Sequence, residues 1–133
     1  MYDEGYLNIT NNDISTICIR NMKKRNEKER PLMKWDVMDI REMSYKDEAF
    51  DMIIDKSTVD ALLCGNSAYL NVAIMMKECQ RVLKTGGTYV AISYGSPENR
   101  ELHLNRANLS LDIKIYKIER EPEPNATAKA AKA

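Results

Sequence analysis

The sequence predicts an α/β protein of the Rossmann-like kind, with a mostly parallel sheet and flanking helices. Short apolar stretches with strand patterning alternate with segments in which apolar residues recur at helical spacing. Several of the strands run out into carboxylates, and a long helix passes through Gly86-Gly87 into a strong strand. The order strand, helix, strand, strand, helix, strand is typical of parallel sheets with right-handed crossovers.

The first third of the chain carries two strand candidates around one helix. Residues 6–11 (YLNITN) form a short strand, and the charged run 23–30 that follows the helix is a solvated helix end and loop, closed by Pro31. Residues 32–37 form the next strand. The helix between them is indicated by apolar residues at helical spacing: Ile14, Ile17, Cys18 and Met22.

The next elements are the strongest. Residues 50–54 (FDMII) are nearly all apolar, which is typical of a strand with both faces covered. A short helix over 57–63 is broken at Gly65, and Gly86-Gly87 should end the long helix that follows, before the strand 88–94. The long helix is marked by one apolar stripe: Val72, Met75, Met76, Cys79, Val82 and Leu83.

The C-terminal part has weaker signals. Alternating apolar residues predict a last strand over 112–118. We expect the domain to span residues 1–120, because residues 121–133 hold no large apolar side chain and are predicted to be a disordered tail.

Composition excludes some function classes. The chain has 133 residues, enough for one domain, and its 20 basic and 20 acidic side chains cancel, which gives no indication of a nucleic-acid or membrane partner. Three widely spaced cysteines match no zinc pattern, so no metal is expected. We find no secretory signal and no apolar run near the ~20 residues that span a bilayer, and expect a soluble, cytoplasmic protein.

Acids follow three of the predicted strands. Asp13, the pair Asp36 and Asp39, and Asp55 would line one rim of a parallel sheet, where α/β proteins bind their ligands. A carboxylate there can accept from both hydroxyls of a ribose or from the amine of a purine. Local roles stay open: Asp13 can cap the helix that begins at Ile14, Asp39 can be a loop acid, and Asp55 or Ser57 can cap the next helix. The single histidine, His103, is expected in a surface or packing role.

Three segments resemble one known family. Asp39, then Tyr45-Lys46-Asp47 and Phe50-Asp51, is similar to the region after the third strand of the class I (seven-strand) S-adenosylmethionine-dependent methyltransferases. Residues 55–61 (DKSTVDA) resemble the D-K-G-T-L-D-A signature of the methyltransferase-like branch that includes lysine methyltransferases of elongation factor 1-alpha, with Ser57 and Val59 as the differences. Residues 81–87 (RVLKTGG) resemble the R-V-L-x-x-G-G turn of the family.

The resemblance implies an S-adenosylmethionine site on this rim and a protein, lysine-bearing substrate. Asp13 would hold the cofactor ribose, and Asp39 would meet the adenine amine with the backbone of Ile40 beside the ring. Ile14 is a further residue implied to bind the cofactor. The residues implied to border the methyl group and the substrate are Asp55, Lys56 and Ser57.

The sequence departs from the family at one point. No G-x-G occurs in it, so the glycine-rich loop after the first strand, and that central strand, are missing, and we expect a truncated version of a longer protein. Strands two and four would then lack their shared partner. The alternative function is a non-catalytic, methyltransferase-derived interaction module, with a partner chain completing the sheet.

Overall fold

The computed structural model describes residues 1–106 and 108–118. The predicted tail over 121–133 lies outside these residues. Within them a single turn of 3-10 helix is followed by four strands and four α-helices. The elements are the 3-10 turn Tyr2–Glu4, β1 (Thr10–Asp13), α1 (Thr16–Asn26), β2 (Lys34–Val37), β3 (Phe50–Lys56), α2 (Thr58–Leu63), α3 (Ala68–Val82), β4 (Leu83–Ile92) and α4 (Pro97–Leu104).

The strands form two parallel ladders. β1 pairs with β2 in the register Thr10 to Lys34, and β3 pairs with β4 in the register Ile54 to Val90. In the part of the chain that the structure describes, no pairing joins the two ladders. The parallel α/β class is therefore confirmed, and β1 and β3 each have one neighbour strand instead of two.

The first helix begins later than the sequence predicted. β1 runs on to Asp13, and the N-cap of α1 is Ser15, whose hydroxyl accepts a hydrogen bond from the Cys18 N–H at 3.1 Å. Of the roles left open for Asp13, the capping of a helix that starts at Ile14 is not the one found, because Asp13 is still extended and paired with Val37.

The core is built on α3. Its apolar stripe is almost completely buried, as predicted, and Val59 of α2 packs against it. Strand residues Ile53 and Tyr89 pack against the same buried cluster. The buried members of the stripe are Val72, Met75, Met76, Cys79 and Val82.

The two glycines have a different role from the one predicted. α3 already ends at Val82, because Leu83 is extended and pairs with Phe50. The register then shifts, and Gly86 takes a left-handed conformation with φ of 78°. A Cβ on Gly87 would lie 2.9 Å from the Asp51 carbonyl oxygen. The glycines thus shape a bulge inside β4 rather than end the helix.

One face of the second ladder is uncovered. Met52 and Ile54 of β3 are 49% and 46% exposed, so the prediction of a strand covered on both faces is wrong. Helix α4 was missed, although Ser96 followed by Pro97 is a helix-start signal. The strand predicted over 112–118 is absent from these residues, where Tyr116 and Ile118 are more than 80% exposed. Among the described residues, no helix has the length and apolar character to cross a membrane.

Candidate functional site

The carboxyl ends of β1 and β2 place two of the predicted acids on one rim. Asp13 is the last residue of β1, and Asp39 lies two residues beyond the end of β2. The backbone keeps them together, because the Met38 N–H donates to the Asp13 carbonyl oxygen at 3.0 Å. The Asp13 carboxylate accepts from the Ser15 N–H at 2.7 Å through Oδ1. Ile14, between them, is largely exposed beside this rim.

Asp39 is held by an arginine that the sequence analysis did not single out. The Arg41 side chain donates to both carboxylate oxygens, with Nη2 at 2.6 Å from Oδ2 and Nε at 3.0 Å from Oδ1. These hydrogen bonds hold the pKa of Asp39 below its ordinary value, against the opposing effect of burial. Ile40, between the two, packs toward the core.

The two acids near the end of β2, Asp36 and Asp39, have different surroundings. Asp36 points to the Tyr45 hydroxyl, which donates to its Oδ2 at 2.7 Å. Burial and this neighbouring carboxylate raise the pKa of Tyr45. Asp36 therefore serves to fix the segment after β2, and Asp39 is the acid that reaches the rim.

Asp55 at the end of β3 is turned inward. It is only 5% exposed, and its carboxylate accepts from the Thr58 N–H at 2.8 Å, the Val59 N–H at 3.1 Å and the Tyr89 hydroxyl at 2.9 Å. Of the roles left open, the structure shows the local one, because Asp55 satisfies the first amides of α2. Ser57 makes no side-chain cap.

Two other predicted site residues, Lys56 and Ser57, lie at the carboxyl end of β3, which together with the end of β4 we call the second rim. Lys56 is exposed, and the Ser57 N–H donates to the Ile92 carbonyl oxygen at 3.0 Å, next to the end of β4. Ser57 has a φ of 66°, a left-handed conformation that costs a side-chain residue about 1–2 kcal/mol. Glycine, which the similar signature has at this place, adopts this conformation without that cost.

A second cluster ties the end of β4 to α2. Asp60 accepts from the Ser93 hydroxyl, from the Tyr94 N–H at 3.0 Å and from Arg100 Nη2 at 2.8 Å. Burial disfavours its charged form, but these hydrogen bonds and Arg100 outweigh it, and the pKa of Asp60 is lowered. The cluster fixes the loop that follows β4 at the carboxyl edge of the sheet.

The segment between the ladders is anchored on α3 by Arg81. Its guanidinium donates to the Met43 and Tyr45 carbonyl oxygens, both at 2.8 Å, and to Glu78. Glu78 in turn accepts from the Met43 N–H at 2.9 Å. The segment that carries Asp39 is thus fixed to the core helix α3.

Sequence reasoning missed Arg41, Arg81 and Asp60. Arg81 and Asp60 lie inside motifs that the sequence analysis used, so the motifs were the available signal for them. No sequence signal pointed to Arg41, because nothing in a single sequence shows that its side chain folds back on Asp39. His103 is 4% exposed and packs against Tyr69, with ring centroids 4.9 Å apart and the ring planes tilted by 44°, so of the surface or packing role expected for it the structure shows packing.

Comparison with known proteins gives a family match. A family model described as a methyltransferase domain matches residues 1–91, which include both ladders almost completely. The chain is 41% identical over 95 residues to the eEF1A lysine and N-terminal methyltransferase of Bos taurus, and equally similar to its homolog in Drosophila melanogaster. These matches cover 70% of this chain and 14% of each relative, so the chain corresponds to about one seventh of their length.

Two further similarities are more distant. The EEF1A lysine methyltransferase 4 of Bos taurus is 25% identical over 118 residues, covering 83% of this chain and 46% of the relative. The crystal structure of the PH0226 protein from Pyrococcus horikoshii OT3 superposes with a TM-score of 0.59 and 26% identity, over 68% of this chain and 40% of the other.

Proposed function

The chain belongs to the methyltransferase domain family, and from this premise we propose that it binds S-adenosylmethionine along the carboxyl ends of its strands, as part of a protein lysine methyltransferase. One observation carries the proposal. The family match covers the two strand ends at which β1–β2 pairing brings Asp13 and Asp39 to one rim.

The residues present fit the adenosyl part of this cofactor. Asp13 and Asp39 are carboxylates on adjacent strand ends, and carboxylate oxygens are acceptors for ribose hydroxyls and for an exocyclic amine. The sequence holds no glycine-rich loop for the methionine part. We therefore assign the adenosyl half to this chain and expect the affinity to be low.

Bound S-adenosylmethionine supplies an electrophilic methyl group on a sulfonium. In the proposal, Asp13 and Asp39 orient the adenosyl group, with Ile14 and Ile40 beside it. Lys56 and Ser57, at the second rim, border the acceptor. Asp55 acts from the core by fixing the start of α2, so that Lys56 and Ser57 keep their place.

The acceptor that we propose is a lysine side chain of a protein. This proposal is supported by the names of the relatives, which describe them as lysine methyltransferases of eEF1A. Transfer of labelled methyl groups from S-adenosylmethionine to purified eEF1A by this chain would support it, and transfer to no protein lysine would refute it. A cytoplasmic location for this reaction is a further prediction, testable by fractionation.

Calorimetric titration with S-adenosylhomocysteine tests cofactor binding. We expect binding that weakens about tenfold or more in Asp39→Asn and Asp13→Asn, because a hydrogen bond to a charged group contributes about 1.5–3 kcal/mol. Asp51→Asn is the matched control, since Asp51 lies at the other end of β3, exposed and paired with Lys84 at 2.8 Å. Equal affinity of all four proteins would show that the ligand does not use this rim.

The separate ladders favour a second candidate function. Among the described residues β1 and β3 each pair with one neighbour strand, and the exposed Met52 and Ile54 lie on β3, which suits a non-catalytic module whose partner chain completes the sheet. A folded chain with no affinity for S-adenosylhomocysteine at millimolar concentration would favour this function. Micromolar binding by the isolated chain would argue against it.

A further inference from the structure

We infer that Arg41 sets the affinity of the rim for an adenosyl ligand, because its side chain occupies the carboxylate of Asp39 that such a ligand would use. The inference rests on the proposed function and adds a residue to that site. It assigns to Arg41 the role of an internal competitor for Asp39.

The hydrogen bonds of Asp39 use most of its acceptor capacity. Oδ1 accepts from the Arg41 backbone N–H at 2.9 Å and from Nε at 3.0 Å, and Oδ2 accepts from Nη2 at 2.6 Å and from Nε at 3.2 Å. A carboxylate offers about four lone-pair sites in all. Three N–H groups of Arg41 thus hold this carboxylate, that of Nε shared between both oxygens, and an amine that binds to Asp39 competes with them for the same two oxygens.

The guanidinium of Arg41 has a second hydrogen-bond partner, which it can keep when it moves away from Asp39. Nη1 donates to Asn71 Oδ1 at 3.0 Å, and Asn71 Nδ2 donates to the Asn66 carbonyl oxygen at 3.0 Å. Asn71 belongs to the first turn of α3. Arg41 can thus release Asp39 while it keeps a partner on this helix.

The exposure of the pair determines the size of the effect. The side chains of Arg41 and Asp39 are 36% and 33% exposed, so water and salt screen their attraction. Pairs of this kind are weak enough for a ligand to break. We expect the competition to lower the affinity by about two- to fivefold.

The test is a titration of the full chain with S-adenosylhomocysteine in four forms: wild type, Arg41→Ala, Arg41→Lys and Arg20→Ala. Arg41→Ala should bind about two- to fivefold more tightly than wild type. Arg41→Lys should lie between them, because lysine keeps the charge but lacks the planar fork. Arg20, an exposed arginine of α1, controls for the loss of a positive charge and should leave the affinity unchanged.

The outcomes separate the inference from the proposed function. Equal or weaker binding by folded Arg41→Ala, with binding by wild type, overturns the inference alone. No binding by any of the four folded proteins at millimolar ligand refutes the proposed function, and the inference fails with it. Should Arg41→Ala not fold, the Nε–H resonance of Arg41 in the wild type decides: it should shift at ligand saturation, and an unchanged resonance overturns the inference.

Discussion

Replacement of Asp55 by alanine should destabilise the fold strongly, although Asp55 begins the most specific motif of the sequence. The carboxylate is buried and accepts three hydrogen bonds, from the Thr58 and Val59 amides and from the Tyr89 hydroxyl. Burial, followed by the charge of Asp55, raises the pKa of Tyr89, so this phenol stays protonated and keeps donating.

The magnitude follows from the two groups that lose their acceptor. Removal of an aspartate cap from a helix costs about 0.5–2 kcal/mol. The Tyr89 hydroxyl, left without its partner in the core, costs about 1–3 kcal/mol more. Asp55→Ala should therefore lower the free energy of unfolding by about 2–4 kcal/mol. Asp55→Asn keeps an acceptor oxygen and should lose about half of that.

Urea denaturation followed by circular dichroism measures the effect. With an m-value of about 1–3 kcal/mol/M, a loss of 3 kcal/mol moves the midpoint down by about 1–3 M. Tyr89→Phe is the matched control, since it removes only the hydroxyl, and its cost should not add fully to that of Asp55→Ala. A midpoint within experimental error of the wild type for Asp55→Ala would refute the structural role.

Four other predictions can be checked by the same denaturation assay. Ser57→Gly should stabilise the chain by up to about 1 kcal/mol, because glycine relieves the left-handed conformation at this position, and a destabilised variant would contradict that explanation. Gly86→Ala should lower the free energy of unfolding by about 1 kcal/mol. Gly87→Ala should lower it more, since only the Cβ at Gly87 meets backbone atoms, and equal losses would argue against this close approach. Arg81→Lys should cost about 1–2 kcal/mol through loss of the fork to two carbonyl oxygens, and no loss would show that the fork is dispensable. The hydrogen bond from Arg81 lowers the pKa of Glu78 from 4.5. The stability that the ionised Glu78 contributes is therefore complete above that pH and is lost as the pH falls below it. If Glu78→Gln left the acid dependence of the unfolding free energy unchanged, this explanation would be contradicted.

The sequence predicted the elements whose patterning is local. The stripe from Val72 to Val82 identified the core helix, because its apolar residues recur at the helical period and are all buried. β3 was also placed correctly, but the exposure of Ile54 was not foreseen. That exposure depends on whether another element covers the outer face, which the composition of the strand does not reveal.

The places of the candidate residues along the strands were predicted, but their contacts were not, and their role as a site stays a prediction. The strand-end rule placed Asp13, Asp39 and Asp55 at carboxyl ends, and the structure agrees. Which way a carboxylate turns depends on tertiary partners: Tyr89, 34 residues away, draws Asp55 inward, and Arg41 closes over Asp39. The strand expected at 112–118 failed for a related reason, because apolar alternation makes a strand only where a neighbour can pair with it.

Mapping where an adenosyl ligand binds tests the proposed cofactor site most directly. In an amide ¹H–¹⁵N correlation titration of the full chain with S-adenosylhomocysteine, we predict the largest shifts at Asp13, Ile14, Asp39 and Ile40. The amides of Thr85, Gly86 and Gly87, at the other end of the second ladder, should stay unchanged. Shifts concentrated at those three residues, or none anywhere at millimolar ligand, would contradict the assignment of this rim as the cofactor site.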